Sequence, residues 1–163
     1  MAQVEHPNRE KASSKAMKAV VTFLLLGSAM LIALITAGGG SELQGAQPVA
    51  FVYVLVYLVM AFYVSRWNRG VLPVAAALAL LFAVIAAVAA PAWFARDKGG
   101  FEDPAVDPAI LGLLTVVLVP VQLMLMLASM KAFVQKWNVE VEVSRGSPSR
   151  PDAPGHGPEP ARA

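Results

Sequence analysis

VLPVAAALALLFAVIAAVAAPAWFA, residues Val71 to Ala95, runs for 25 residues without one Asp, Glu, Lys, Arg or His. A helix rising about 1.5 Å per residue needs roughly 20 residues to cross a hydrocarbon layer near 30 Å thick. This stretch is long enough, and three more resemble it: Val20 to Ala37, Val49 to Ser65 and Ala109 to Met130. The spacing predicts an all-α integral membrane protein whose four transmembrane helices form two antiparallel hairpins, with spans at 20–37, 49–65, 71–95 and 109–130 inside a membrane domain covering 19–137. Residues 1–18 are expected to be a polar N-terminal segment whose first dozen residues are flexible, 138–143 a short strand, and the Pro- and Gly-rich 144–163 a disordered tail. A chain that is 57% hydrophobic and 15% charged lies outside the range of soluble domains and expects a lipid bilayer as its solvent.

Orientation follows from the cations. Eleven of the thirteen Lys and Arg fall before the first run, between the second and third, or after the fourth; only Arg96 and Lys98 fall on the other side. The asymmetry predicts both termini in the cytoplasm, and the Ala-, Val- and Leu-rich spans suit a bacterial cytoplasmic membrane. The first run is read as a true span and not a cleaved signal, because its apolar core is long and Leu34 stands where a cleavage site needs a small residue. The basic residues flank apolar runs and form no separate domain, so nucleic acid is not an expected partner.

Several function classes are excluded by composition. No cysteine is present, which removes disulfide, thiolate-metal and iron–sulfur chemistry, and His6 and His156 both lie in the tails. No cofactor or metal is expected. None of the spans contains an ionisable residue, which argues against a proton-coupled pump and separates the chain from small multidrug exporters with their buried carboxylate. Met124 and Met126 stand two apart on a helix and diverge, so a thioether copper site is not expected.

A thin polar layer remains near mid-depth, formed by Ser28, Tyr57, Pro120 and Gln122. Tyr57 and Gln122 are placed to meet, and Pro120 withholds a donor from the carbonyl of Val116. These residues define either a small pocket for a quinone-like or lipid head group or ordinary interhelical hydrogen bonds. Small residues recur at helical spacing in Ala75, Ala79, Ala83, Ala87 and Ala90, and in Ala29, Ala33 and Ala37, marking faces for close packing. Those of the third span suggest a helix central to the bundle or set against a partner.

The triplets Arg66-Trp67-Asn68 and Lys136-Trp137-Asn138 each follow a span that descends to the cytoplasmic face. They read as interface anchors: the cation snorkels, the indole sits at head-group level, and Asn takes the left-handed conformation that ends helices. Trp93 marks the opposite interface. Asp107 before Pro108 is an N-cap candidate. Phe101 in the second outer loop and the alternating Val139, Val141 and Val143 are candidate docking residues for a partner, the strand being expected to pair with another chain or to stay irregular.

No nucleophile with a base lies at membrane depth, so enzyme activity is not expected. The reading is a noncatalytic accessory or assembly subunit of a larger membrane complex, for example a respiratory one, with other subunits or a homo-oligomer as partners. In size and layout the chain is similar to the small four-span accessory subunits of bacterial terminal oxidases, a likeness of architecture without a shared motif. The alternative is an oligomeric carrier or channel for an uncharged or lipid-like solute.

Overall fold

Proline and aspartate set two of the helix starts, because a first helical turn has no use for the N–H that proline lacks and offers free amides to a capping carboxylate. In a computed structural model, which describes residues 3–96 and 105–143, Pro48 and Pro108 sit in first turns and Asp107 Oδ1 accepts from the Ala109 amide at 2.7 Å. The element order is β1 (Gln3–Glu5), α1 (Pro7–Glu10), α2 (Ala12–Gly39), a 3-10 segment (Gly40–Ala46), α3 (Gln47–Ser65), α4 (Val71–Ala95), α5 (Pro108–Val134) and β2 (Val141–Val143). Helices α2 to α5 are each long and apolar enough to cross a membrane, and by length and composition this is a multi-pass membrane protein.

Helix and span are not the same length. α2 starts eight residues before the uncharged run, and Lys15 and Lys18 ride on its first turns; α5 continues past Lys131. A charge limits how deep a helix sits in hydrocarbon, but Lys is a good helix former.

α4 lies along α5, and α2 packs on both α3 and α5, whereas α3 and α4 scarcely touch. The helices with two large interfaces are therefore α2 and α5, and the alanine-dense α4 is not central. Ala75, Ala79, Ala83 and Ala90 are buried, but Ala87 is exposed. In α2 only Ala29 of the expected stripe is buried; the buried face runs through Val21, Leu25, Ser28, Ile32 and Ile35. Alanine shortens the distance between two helices without requiring that it do so all round.

One end of the bundle gathers Lys18 of α2, Ser65 at the end of α3, Arg69 before α4 and Phe133 near the end of α5. This near end also carries the termini of the described chain. At the far end the Val106 amide donates to the Gly38 carbonyl at 3.3 Å, and a Cβ on Gly39 would stand 2.6 Å from the Trp93 ring. Gly40 then turns the chain with φ of +47°, a conformation that suits glycine.

At the near end β1 pairs antiparallel with β2, Gln3 opposite Val143 and Glu5 opposite Val141. The sequence suggests a flexible N-terminus and a strand that pairs with another chain or stays irregular; here the first residues of the same chain supply the pairing strand. The cause is topological, since α2 begins where α5 ends and the two tails emerge side by side. Val139 and Val141 are exposed. Phe101 and the tail 144–163 lie outside the described residues.

The end of α3 corrects the reading of the triplets. The left-handed residue is Trp67, with φ of 64°, and not Asn68; in α5 it is Lys136, with φ of 50°, and not Asn138. The Asn68 amide donates to the Tyr63 carbonyl at 3.0 Å and the Trp67 amide to that of Val64 at 3.0 Å, the paired bonds that close a helix around a left-handed residue. The triplets are thus out of register by one, Trp67 being in the left-handed position and Trp137 one residue beyond it. A left-handed non-glycine residue costs about 1–2 kcal/mol, and the ring contacts of Trp67 offset it. Replacing Trp67 by Gly should leave the protein about 1 kcal/mol more stable than replacing it by Ala, the reverse of the order inside a helix, as read by thermal unfolding in detergent.

Candidate functional site

The polar layer is built by two helices that do not adjoin. The Tyr57 hydroxyl of α3 donates to Gln122 Oε1 of α5 at 2.7 Å, and both side chains are fully buried. Because α3 and α5 share almost no close backbone approach, this bond crosses the axis of the bundle. One turn before Tyr57, the ring of Tyr53 stands edge-on to it at 5.8 Å and against Phe82 of α4 at 4.6 Å. The aromatic chain links α3 to α4, which otherwise scarcely touch.

Ser28 is also fully buried, but neither its Oγ nor the Gln122 Nε2, the Tyr53 hydroxyl or the Ser129 Oγ has a hydrogen-bond partner among the described residues. These are unspent groups in a closed interior. They offer hydrogen bonds and form no acid–base or nucleophilic pair with one another.

Pro120 does not belong to this layer. It is exposed on the lateral face of α5, because residues two apart on a helix point about 200° from one another and Gln122 points inward. Its neighbours there are Pro91, Ala87 and Phe94 of α4, which share a groove with it. Tyr53 and Ser129 are buried polar residues that helical spacing reveals, one turn before Tyr57 and two turns after Gln122.

Towards the far end a cavity of about 220 Å³ is walled by Ile32, Phe82, Ala86, Trp93 and Leu118, with the exposed Val49 and Ile85 at its rim. Thr36 and Thr115 also line it, yet their hydroxyls donate to the carbonyls of Ile32 and Leu111, each at 2.7 Å. The cavity is apolar throughout its side-chain surface.

The tryptophan triplets converge at the near end. Trp67 and Trp137 meet edge to face at 5.3 Å, and Lys18 Nζ lies 4.2 Å from the Trp67 ring. Trp137 is fully buried and its indole donates to Gln135 Oε1 at 3.0 Å; Trp93, at the other end, is buried beneath Arg96, 4.7 Å away. These two indoles are enclosed by protein, and only Trp67 is half-exposed. Arg66 and Lys136 are exposed, with Arg66 5.1 Å from the Phe62 ring.

Arginines that sequence reading treats only as topological charge close the last turn of α5. Arg69 donates through Nε to the Phe133 carbonyl at 2.8 Å and through Nη1 to Asn138 Oδ1 at 3.0 Å. Arg9 donates to the Trp137 carbonyl at 2.9 Å, and Asn8 to that of Lys136 at 3.1 Å. Asn68 Oδ1 accepts from the Gly70 amide at 3.0 Å, leading into α4. No spacing rule points to these partners, which are 64 to 128 residues away from the arginines and from Asn8.

The Tyr57–Gln122 bond should appear as a coupling. A double-mutant cycle with Tyr57→Phe and Gln122→Leu, read by unfolding in detergent, is expected to give a coupling of about 0.6 kcal/mol, the average for interhelical hydrogen bonds in a membrane protein, and no more than about 1.7 kcal/mol. A coupling of zero would mean that the two groups do not bond.

Comparison of the chain with protein-family models, with curated proteins and with solved structures returns no match, so its placement rests on the residues and geometry described above.

Proposed function

We propose that this protein is a noncatalytic accessory or assembly subunit of a larger bacterial membrane complex, for example a respiratory one, inserted in the cytoplasmic membrane as two antiparallel hairpins with both termini in the cytoplasm. The observation that supports it is the closed axis. The Tyr57–Gln122 bond and the Tyr53–Phe82 contact occupy the middle of the bundle, and the polar groups around them are sealed from the surface. Among the described residues, a single chain built this way offers no polar path across itself. Its contacts with other molecules fall on its lateral faces and its ends, which is where a subunit works. The positive near end, with Arg9, Lys11, Lys15, Lys18, Arg66 and Lys136, agrees with cytoplasmic termini.

Extraction from the native membrane in mild detergent, followed by mass spectrometry of what copurifies, should recover the chain in fixed stoichiometry with larger membrane subunits. Recovery as a homo-oligomer alone would overturn the reading.

A second reading, an oligomeric carrier for an uncharged or lipid-like solute, is favoured by the apolar cavity between α3 and α4. At about 220 Å³ it is smaller than the roughly 300–1,000 Å³ of whole-ligand sites, so it suits one apolar tail or ring. Ala86→Leu would fill it. Loss of uptake into vesicles containing this variant, with assembly unchanged, would favour the carrier over the subunit.

A further inference from the structure

Pro91 of α4 and Pro120 of α5 are both exposed, and they line one lateral groove of about 600 Å³ with Ala87, Ala90, Phe94 and Val116. Each proline lacks the N–H that a helix sends to the carbonyl four residues earlier. The two carbonyls concerned belong to Ala87 and Val116, and both residues lie in the groove. Two interruptions of the helical ladder, on different helices, therefore face the same space. Every side chain there is apolar, so the backbone is the groove's source of hydrogen-bonding groups.

Depth makes this consequential. Ala87 lies eight residues before the end of α4 and Val116 eight residues after the start of α5, which places both about 12 Å from the far end of their helices. At that depth in a bilayer a carbonyl without a donor costs several kcal/mol, and such backbone is tolerated where protein covers it. Ala87 and Ala90 are small enough to let another backbone approach.

We propose that this groove docks a transmembrane helix of another membrane protein, one that presents a hydroxyl, amide or indole donor to the carbonyls of Ala87 and Val116. The proposal rests on the accessory-subunit reading and names its contact face.

A second copy of the chain does not meet the requirement. Within the apolar stretches, the described uncharged polar side chains that are not buried are Thr22, Tyr63 and Ser65. Thr22 stands about 26 Å from the far end of α2 and Tyr63 about 24 Å from that of α3. With every copy held in one orientation by the charge asymmetry, these donors sit about 12–14 Å too deep. A hydrocarbon tail carries no donor at all.

The test uses the full chain in its native membrane, with the photo-crosslinker benzoylphenylalanine placed at Val119 in the groove or at Phe23, an exposed control on α2. The expected result is a crosslink from Val119 at least about fivefold stronger than from Phe23, mapped by peptide mass spectrometry to a transmembrane segment of a different protein, within one turn of Ser, Thr, Tyr, Trp, Asn or Gln; fivefold is what one interhelical hydrogen bond of about 1 kcal/mol produces. Pro91→Ala with Pro120→Ala returns an N–H to each carbonyl. That variant should lose partner recovery about fivefold while the isolated chain gains thermal stability. Ala87→Leu, which fills the groove and keeps both prolines, should lose recovery as well, so the result does not depend on how the proline-free chain folds.

Crosslinks to a second copy or to lipid alone, yields no higher at Val119 than at Phe23, or recovery that ignores both variants would overturn the proposal. If a complex copurifies while its crosslinks map to Phe23, the docking face is wrong and the subunit reading stands. If no complex copurifies, both fall.

Discussion

A backbone carbonyl in hydrocarbon needs a donor, and water is not there to provide one. A milder form of the same need, at head-group level where water also reaches, recurs at the near ends of α3 and α5, whose last carbonyls have no intrahelical donor. At the end of α3 the chain places Trp67 in a left-handed conformation so that two amides can return to Tyr63 and Val64. At the end of α5 the arginines Arg69 and Arg9 and the amide of Asn8 reach the carbonyls of Phe133, Trp137 and Lys136. The near end is therefore a set of caps contributed by parts of the chain distant in sequence. The same contacts bring the N-terminal segment beside the C-terminal strand and so set up the pairing of β1 with β2. The prolines of α4 and α5 are the exception, where the ladder is broken within the apolar spans.

The interior solves the complementary problem of polar side chains among apolar ones. Tyr57 and Gln122 satisfy one another across the bundle axis, tying together two helices that do not otherwise adjoin. Such a bond adds little to stability but selects one rotational setting of α3 against α5, because other settings leave a phenol and an amide unpaired. The small contact between α3 and α4 leaves the apolar cavity beneath Trp93, while the close α4–α5 pairing creates the groove on the opposite flank of α4. One bundle thus carries an apolar pocket and a groove with backbone acceptors, and they call for different neighbours.

How far the chain could be read in advance differed by residue. The apolar runs located four helices, Asp107 was recognisable as a cap, and counting to mid-span was enough to bring Tyr57 and Gln122 together. Counting depth alone misplaced Pro120, since depth says nothing about rotation, and two residues along a helix carry a side chain to its other face. The two Trp triplets were visible as a repetition, yet neither their one-residue shift in register nor the contact between Trp67 and Trp137 was. The alanines of α4 signalled close packing without naming α5 as the helix concerned.

The amino-acid sequence by itself determined the number of apolar helices and where each begins to be apolar, because the transfer of charge into hydrocarbon is costly enough to be read residue by residue. Only the tertiary structure decided which polar groups meet, which carbonyls the arginines cap, and that Pro91 and Pro120 open onto one groove. Those outcomes depend on the rotation and neighbour order of helices whose surfaces are almost uniformly apolar. A uniform surface carries no periodic signal, so the few polar and small residues settle the arrangement only when all the helices are present.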